Sequence, residues 1–299
     1  MTAAATERMP SLPAASAIGT VHLTAASLER ARAFYERVIG LSSAEQPDGS
    51  LLLGGAAGSS PPLLALAGDS AASPRDPRET GLFHLAILLP TRRDLAVALV
   101  RLAQAGWRLD GASDHLVSEA LYLTDPEGNG IELYHDRSRS SWRRDADGQL
   151  AMATLPLDLD DLLGELEAAP LDARADALMP ADTRIGHVHL QVAELDRIER
   201  FYAVVLGFDV MVRGYPGALF VAAGGYHHHI GLNTWNSRGG SRPSPGSVGL
   251  RAYEVRLGDV DAVEQALARL EAAGIATEVG PGGTTMVRDP SGNGVLLTV

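Results

Sequence analysis

Two residues in apolar surroundings carry the first chemical signal in this chain of 299 residues. His84 lies in the run GLFHLAILLP, and Glu132 lies in IELY directly after the turn sequence DPEGNG. Both runs are short, apolar and bounded by turn residues, which predicts strands. A carboxylate inside a strand that otherwise reads as core is costly unless a cation or hydrogen bonds compensate it. A histidine on a neighbouring strand is the kind of group that shares a metal with it. The chain has no cysteine, which excludes disulfides, thiolate metal sites and a cysteine nucleophile, so any metal must use imidazole and carboxylate. Further imidazoles stand in strand-like runs: His22 and His189 in two VHL sequences, and His227, His228 and His229 in YHHHIGLN. For any one of them the ordinary reading is a core histidine with satisfied nitrogens. Three first-strand histidines together with a strand glutamate weigh against coincidence.

The elements that must position these residues form a repeat. The sequence IGTVHLTAASLERARAFYERVIGL from Ile18 lies over IGHVHLQVAELDRIERFYAVVLGF from Ile185. Each predicts a strand followed by an amphipathic helix, with apolar residues at Leu28, Ala31, Phe34, Tyr35 and Val38, or at Leu195, Ile198, Phe201, Tyr202 and Val205, closed by Gly40 or Gly207. Weaker starts follow Gly81 and Gly249, with helices opened by Thr91 and stopped near Gly106, and over 260–273 stopped by Gly274. The tails TDPEGNGIELY and RDPSGNGVLLTV also correspond. Four βαβββ modules are therefore predicted, at residues 18–68, 81–136, 185–235 and 249–299. The joining sequences DSAASPRDPRET and NSRGGSRPSPGSVG read as irregular loops, the second as a mobile flap at a pocket mouth. The expected organisation is a loose tail over 1–17, a first two-module region over 18–136, a connection over 137–184 with a short helix in LDLDDLLGELEAA, and a second two-module region over 185–299.

Composition bounds the function classes. With 45% hydrophobic and 21% charged residues the chain reads as globular. A formal net charge of -12 and the absence of any basic run argue against nucleic acid or an anionic membrane as partner. The first residues lack an apolar core of signal-peptide length, and no run is long enough to span a bilayer, so a cytoplasmic location is expected.

Paired βαβββ modules with a first-strand histidine and a GNGIEL-type last strand resemble the vicinal oxygen chelate superfamily, the glyoxalase, bleomycin-resistance and extradiol dioxygenase group. Four modules in one chain, with wording such as SDHLVSEALYLTDPEGNGIELYHDR and AGGYHHHIGLNTW, are similar to its extradiol ring-cleavage dioxygenases of the catechol 2,3-dioxygenase branch. The resemblance covers nearly the whole chain and implies an α+β fold of two cupped mixed sheets in two domains, with ligands from first and last strands. It also implies a small aromatic substrate with two vicinal oxygens, dioxygen as co-substrate, and Fe(II), with Mn(II) next. A glyoxalase-type metal-dependent isomerase and a non-catalytic small-molecule-binding protein remain as alternatives, because this superfamily hosts all three. A homo-oligomer is left open, since sheet edges in this fold often pair between subunits.

Two ligand sets are possible. Consecutive pairing of modules gives His22, His84 and Glu132; pairing of modules two with three and one with four gives His84, Glu132 and His189. The second is preferred. In extradiol enzymes the module that supplies only a histidine also supplies a non-ligand acid-base histidine, and module three, unlike module one, carries such residues. Laying IGL on IEL aligns Gly231 with Glu132, and strand alternation then turns His229 and His227 inward and His228 outward. By resemblance His229 is the expected acid-base residue with His227 as substitute, and His115 and Tyr122 are expected to orient the substrate. His22, Tyr253 and Leu296 are read as packing, and Asp125 as the opener of its turn.

Overall fold

The computed structural model describes residues 11–56, 61–146, 148–167 and 177–299. Module one is β1 (Ala17–Ala25), α1 (Leu28–Phe34), β2 (Ser42–Glu45), β3 (Leu51–Gly54) and β4 (Leu64–Gly68). Module two is β5 (Gly81–Leu88), α2 (Arg92–Gln104), β6 (Gly111–Asp114), β7 (Ser118–Thr124) and β8 (Gly130–Asp136). The connection carries β9 (Leu155–Pro156) and α3 (Leu159–Gly164). Module three is β10 (Arg184–Gln191), α4 (Leu195–Glu199), β11 (Asp209–Val212), β12 (Ala218–Ala222) and β13 (Ile230–Asn233). Module four is β14 (Gly249–Arg256), α5 (Val260–Ala272), β15 (Thr277–Val279), β16 (Thr285–Arg288) and β17 (Gly294–Thr298).

Local chemistry accounts for the boundaries. Thr91 and Asp94 form a reciprocal capping box on α2. Asp259 caps α5 through the Ala262 amide. After α1 and α4 the chain makes a π-helical turn over Tyr35–Ile39 and Arg200–Leu206, and each turn ends on a glycine in the left-handed region, Gly40 or Gly207. The apolar faces of these helices close on the sheets, so Phe34, Ile39, Leu95, Leu102, Phe201 and Leu270 join one continuous core.

Each sheet takes one module from each half of the chain. The order β11-β12-β13-β10-β5-β8-β7-β6-β9 joins module three to module two, and β15-β16-β17-β14-β1-β4-β3-β2 joins module four to module one. The seams are the antiparallel pairs β5 with β10 and β1 with β14. Consecutive modules are tied differently. The Tyr35 hydroxyl donates to Asp125 Oδ2 at 3.0 Å, linking module one to two, and the Tyr202 hydroxyl donates to Asp289 Oδ2 at 3.1 Å, linking three to four. Each aspartate opens its GNG turn by accepting backbone amides, yet each is also buried. Burial raises both carboxyl pKa values against these donors.

Two expectations need correcting. Within the segment expected as a loose tail over 1–17, Leu12 belongs to the core and its amide donates to the Gly207 carbonyl. The first ten residues lie outside the described ones. The two irregular loops are also tied to each other, with a bridge between Ser73 and Ser247 and a hydrogen bond from the Thr80 amide to the Ser241 carbonyl.

Candidate metal centre and cavity

The seam between β5 and β10 builds the site. Ala86 pairs with His187 on one side and with Glu132 on the other. A methyl group between these longer side chains leaves room for them to meet above it. The Nε2 atoms of His187 and His84 each stand 3.0 Å from the same Glu132 Oε2. All three residues are buried, Glu132 to 2% exposure, and they form a group of three donor atoms lying within 4.8 Å of one another.

Burial alone would raise the Glu132 pKa, but the His187 and His84 rings hold it well below the usual carboxylate range. Burial pushes His187 down to about 4. An ionised Glu132 and a neutral His187 ring are the forms that metal coordination requires. The buried His84 Nε2 lies 3.0 Å from Glu132 Oε2 but is not aligned for a hydrogen bond there, which leaves it directed to a further partner. Two imidazoles and one carboxylate on one face fit a divalent ion with open positions, of the kind used by non-haem Fe(II).

His84 and Glu132 line a cavity of about 480 Å³, a size suited to a small organic ligand. Phe83, Phe220 and Trp235 contribute aromatic walls, and Ile131 and Leu123 line it as well. His115 and Tyr122 line the same cavity and are joined by a 2.7 Å hydrogen bond between His115 Nε2 and the Tyr122 hydroxyl. His115 Nδ1 lies 2.7 Å from the Ala153 carbonyl. A carbonyl only accepts, so Nδ1 carries the hydrogen and the Nε2 of the neutral ring accepts from Tyr122. Burial, and then the Glu132 charge, raise the Tyr122 pKa well above its ordinary value, so the hydroxyl stays protonated.

The expected third ligand, His189, does not join the donor group. It faces His84 across the ladder, with ring centroids 5.0 Å apart, and its ring fills the space above Gly231, where an added Cβ would come within 2.9 Å of it. His187 takes the place beside the carboxylate because it shares that strand face and lies one step nearer Glu132. The HVH spelling makes His187 as much a candidate as His189, since residues two apart point the same way. Matching VHL to VHL concealed it by placing His187 opposite Thr20 of module one.

The histidine run also departs from expectation. Strand β13 begins only at Ile230, after a turn in which Gly224 and Gly225 both have positive φ, so alternation does not extend back through the run. His228, expected to point away, lines the cavity with its ring centroid 4.1 Å from that of His187. His229, expected inward, accepts the Ala223 amide on Nδ1 and is not among the lining residues. His227 lies behind the wall, 2.8 Å from Asp136 Oδ1. His22 sits in the other sheet with its Nε2 3.4 Å from Glu254 Oε1.

The model of the Glyoxalase/Bleomycin resistance protein/Dioxygenase superfamily matches residues 17–133 and 184–297, and the chain belongs to this superfamily. Among individual relatives, the chain is 44% identical to the catechol-2,3-dioxygenase of Bacillus subtilis (strain 168) over 263 residues, covering 87% of this chain and 90% of that one. Solved structures of the same fold include a Bacillus subtilis protein described as a dioxygenase, with a TM-score of 0.68 and 12% identity over 97% of this chain and 86% of that one. Glyoxalase I from Zea mays has a TM-score of 0.56 at 17% identity, over 95% and 92% of the two chains. Among the described residues no helix is long and apolar enough to cross a membrane.

Proposed function

We propose that the chain is an extradiol ring-cleavage dioxygenase that opens a catechol-type aromatic at Fe(II), with Mn(II) as the second choice, held by His84, His187 and Glu132. The observation that carries this reading is the convergence of those three donors, two of which, His84 and Glu132, line a cavity also lined by His228 and by the paired His115 and Tyr122. The 44% identity to a catechol-2,3-dioxygenase supports the same choice. When bound, the metal would polarise the two diol oxygens and provide the redox couple for reaction with dioxygen.

The remaining steps belong to side chains. The aromatic walls hold the substrate ring and exclude water, which strengthens each polar contact in the cavity. Tyr122, whose proton is committed to His115, offers its oxygen lone pairs to a substrate hydroxyl and fixes the ring's orientation. His228 takes a phenolic proton and returns it as the ring opens; burial lowers its pKa well below the ordinary value, so it enters as a neutral base. The isomerase alternative drew support from His229 as a fourth ligand, a place this residue does not take.

The test is metal analysis of anaerobically purified protein followed by catechol addition and an oxygen pulse. Oxygen uptake with formation of a ring-opened semialdehyde is expected. Stoichiometric metal without oxygen uptake would favour the isomerase, and protein that binds an aromatic but no metal would favour a binding role.

A further inference from the structure

We propose that Asp136, acting through His227, is a positioning residue that fixes His228 in one tautomer, with its hydrogen on Nδ1 and its Nε2 lone pair left for the cavity. This rests on the proposed role of His228 as proton acceptor. The geometry is a chain of three side chains. His228 Nδ1 lies 2.8 Å from His227 Nδ1, and His227 Nε2 lies 2.8 Å from Asp136 Oδ1.

Only one hydrogen fits between two facing Nδ1 atoms, and the carboxylate decides which ring owns it. Asp136 only accepts when ionised, so His227 carries its hydrogen on Nε2. With its hydrogen on Nε2, the His227 ring offers Nδ1 as a lone pair, and the hydrogen between the two rings is assigned to His228. Its Nε2 is therefore unprotonated, as a base requires. When His228 takes a proton on Nε2, the positive charge it gains is met by the Asp136 carboxylate one ring away, as an aspartate behind a catalytic imidazole stabilises the imidazolium.

The carboxylate is itself held in place. Its Oδ2 accepts the Tyr226 hydroxyl at 2.8 Å. Tyr226 has thereby used its one hydrogen, so the 2.8 Å contact with Tyr134 is a donation from the Tyr134 hydroxyl. The Tyr226 ring packs on the His227 ring with centroids 4.1 Å apart. Every hydrogen in this network points toward Asp136. His227 is fully buried, whereas the Asp136 side chain is 20% exposed, so the network runs from the cavity wall to the molecular surface.

The test uses the full chain labelled with nitrogen-15 in histidine and loaded with Zn(II), which keeps the metal site filled and diamagnetic. Imidazole nitrogen spectra, assigned by comparison with His228→Gln, are expected to show His228 with hydrogen on Nδ1 in the wild type and a shift toward the Nε2 form in Asp136→Ala. Both proteins are expected to hold one equivalent of zinc. In the Fe(II) form, kcat of Asp136→Ala is expected to fall about tenfold to a hundredfold while KM for catechol changes less than about threefold, the range typical of outer partners of a site. Asp136→Asn preserves shape and removes charge; it serves if the alanine variant does not fold, with a smaller loss in the same direction. The proposal is overturned if wild-type His228 carries its hydrogen on Nε2, which would make His227 the donor, or if the tautomer survives both substitutions. Loss of zinc from the variants would also overturn it, by assigning Asp136 to the metal site. A wild type that turns over no catechol would sink the dioxygenase reading and leave the tautomer measurement standing.

Discussion

His189 stands directly across from His84 in the β5–β10 ladder, yet only His84 reaches the Glu132 carboxylate. The two rings meet edge to face, and His189 Nε2 ends buried without a hydrogen-bond partner. Position on a shared strand face is thus not enough to bring a side chain to the carboxylate; His187 does so from across the small Ala86.

Metal retention should separate these residues. His187→Ala and Glu132→Ala are expected to lose metal affinity by well over about tenfold, since each removes a direct donor and leaves a divalent charge poorly balanced in a buried site. His189→Ala and His22→Ala are expected to keep metal close to stoichiometry. Elemental analysis of the four proteins, purified anaerobically side by side, decides it; metal loss from His189→Ala with retention in His187→Ala would reverse the assignment.

For proton transfer, His228→Gln is expected to bind metal and catechol and to slow turnover roughly a hundredfold to ten-thousandfold, the usual range for loss of a general acid-base group. Glutamine can hydrogen-bond but cannot exchange a proton near neutrality. Anaerobic catechol titration followed by an oxygen pulse measures both halves of the statement. Wild-type turnover in this variant would move the role elsewhere on the cavity wall.

The fold is legible in the sequence because modules repeat, and the strand positions of His84 and Glu132 are legible because both stand in short apolar runs bounded by turn residues. The pairing of module two with three is legible in the spare histidines that module three carries and module one lacks. Two details were not legible. Choosing between His187 and His189 needed the register across β5, including its bulges, which no spacing within one strand encodes. Choosing among His227, His228 and His229 needed the first residue of β13, and an error of one residue there inverts which side chains face the cavity.

A different fate is expected for His229. Burial first, then the neighbouring His227 and His187, lower its pKa to about 3, and its Nδ1 holds the Ala223 amide. A depressed histidine pKa stabilises the fold above the unfolded value near 6.5 and loses that contribution as pH falls toward about 3. The metal-free protein should therefore weaken across this window. Urea midpoints measured from pH 7 to 4 should fall less steeply in His229→Gln, and an unchanged slope would show that other groups govern the acid limb.

The tyrosine ties between consecutive modules can be tested for stability alone. Tyr35→Phe and Tyr202→Phe are each expected to cost about 1–3 kcal/mol, because a buried aspartate loses a donor in both cases. Thermal melting should register the loss while metal content stays at the wild-type level. A melting temperature unchanged in both variants would mean that the remaining amide donors suffice for Asp125 and Asp289.

The interleaving of the two chain halves has a consequence for synthesis. A ribosome that has released the chain as far as Asp136 has made His84 and Glu132, but β5 still lacks the neighbour that carries the proposed third ligand, His187. Its open edge stays unpaired until β10 emerges, and β1 waits longer still for β14. Pairings this distant in sequence form slowly and leave strand edges exposed in the meantime. The unfinished chain thus passes through a period in which it holds two of the three proposed donors and two unsealed sheets, and it needs protection from its neighbours more than a protein of the same size built from two self-contained halves.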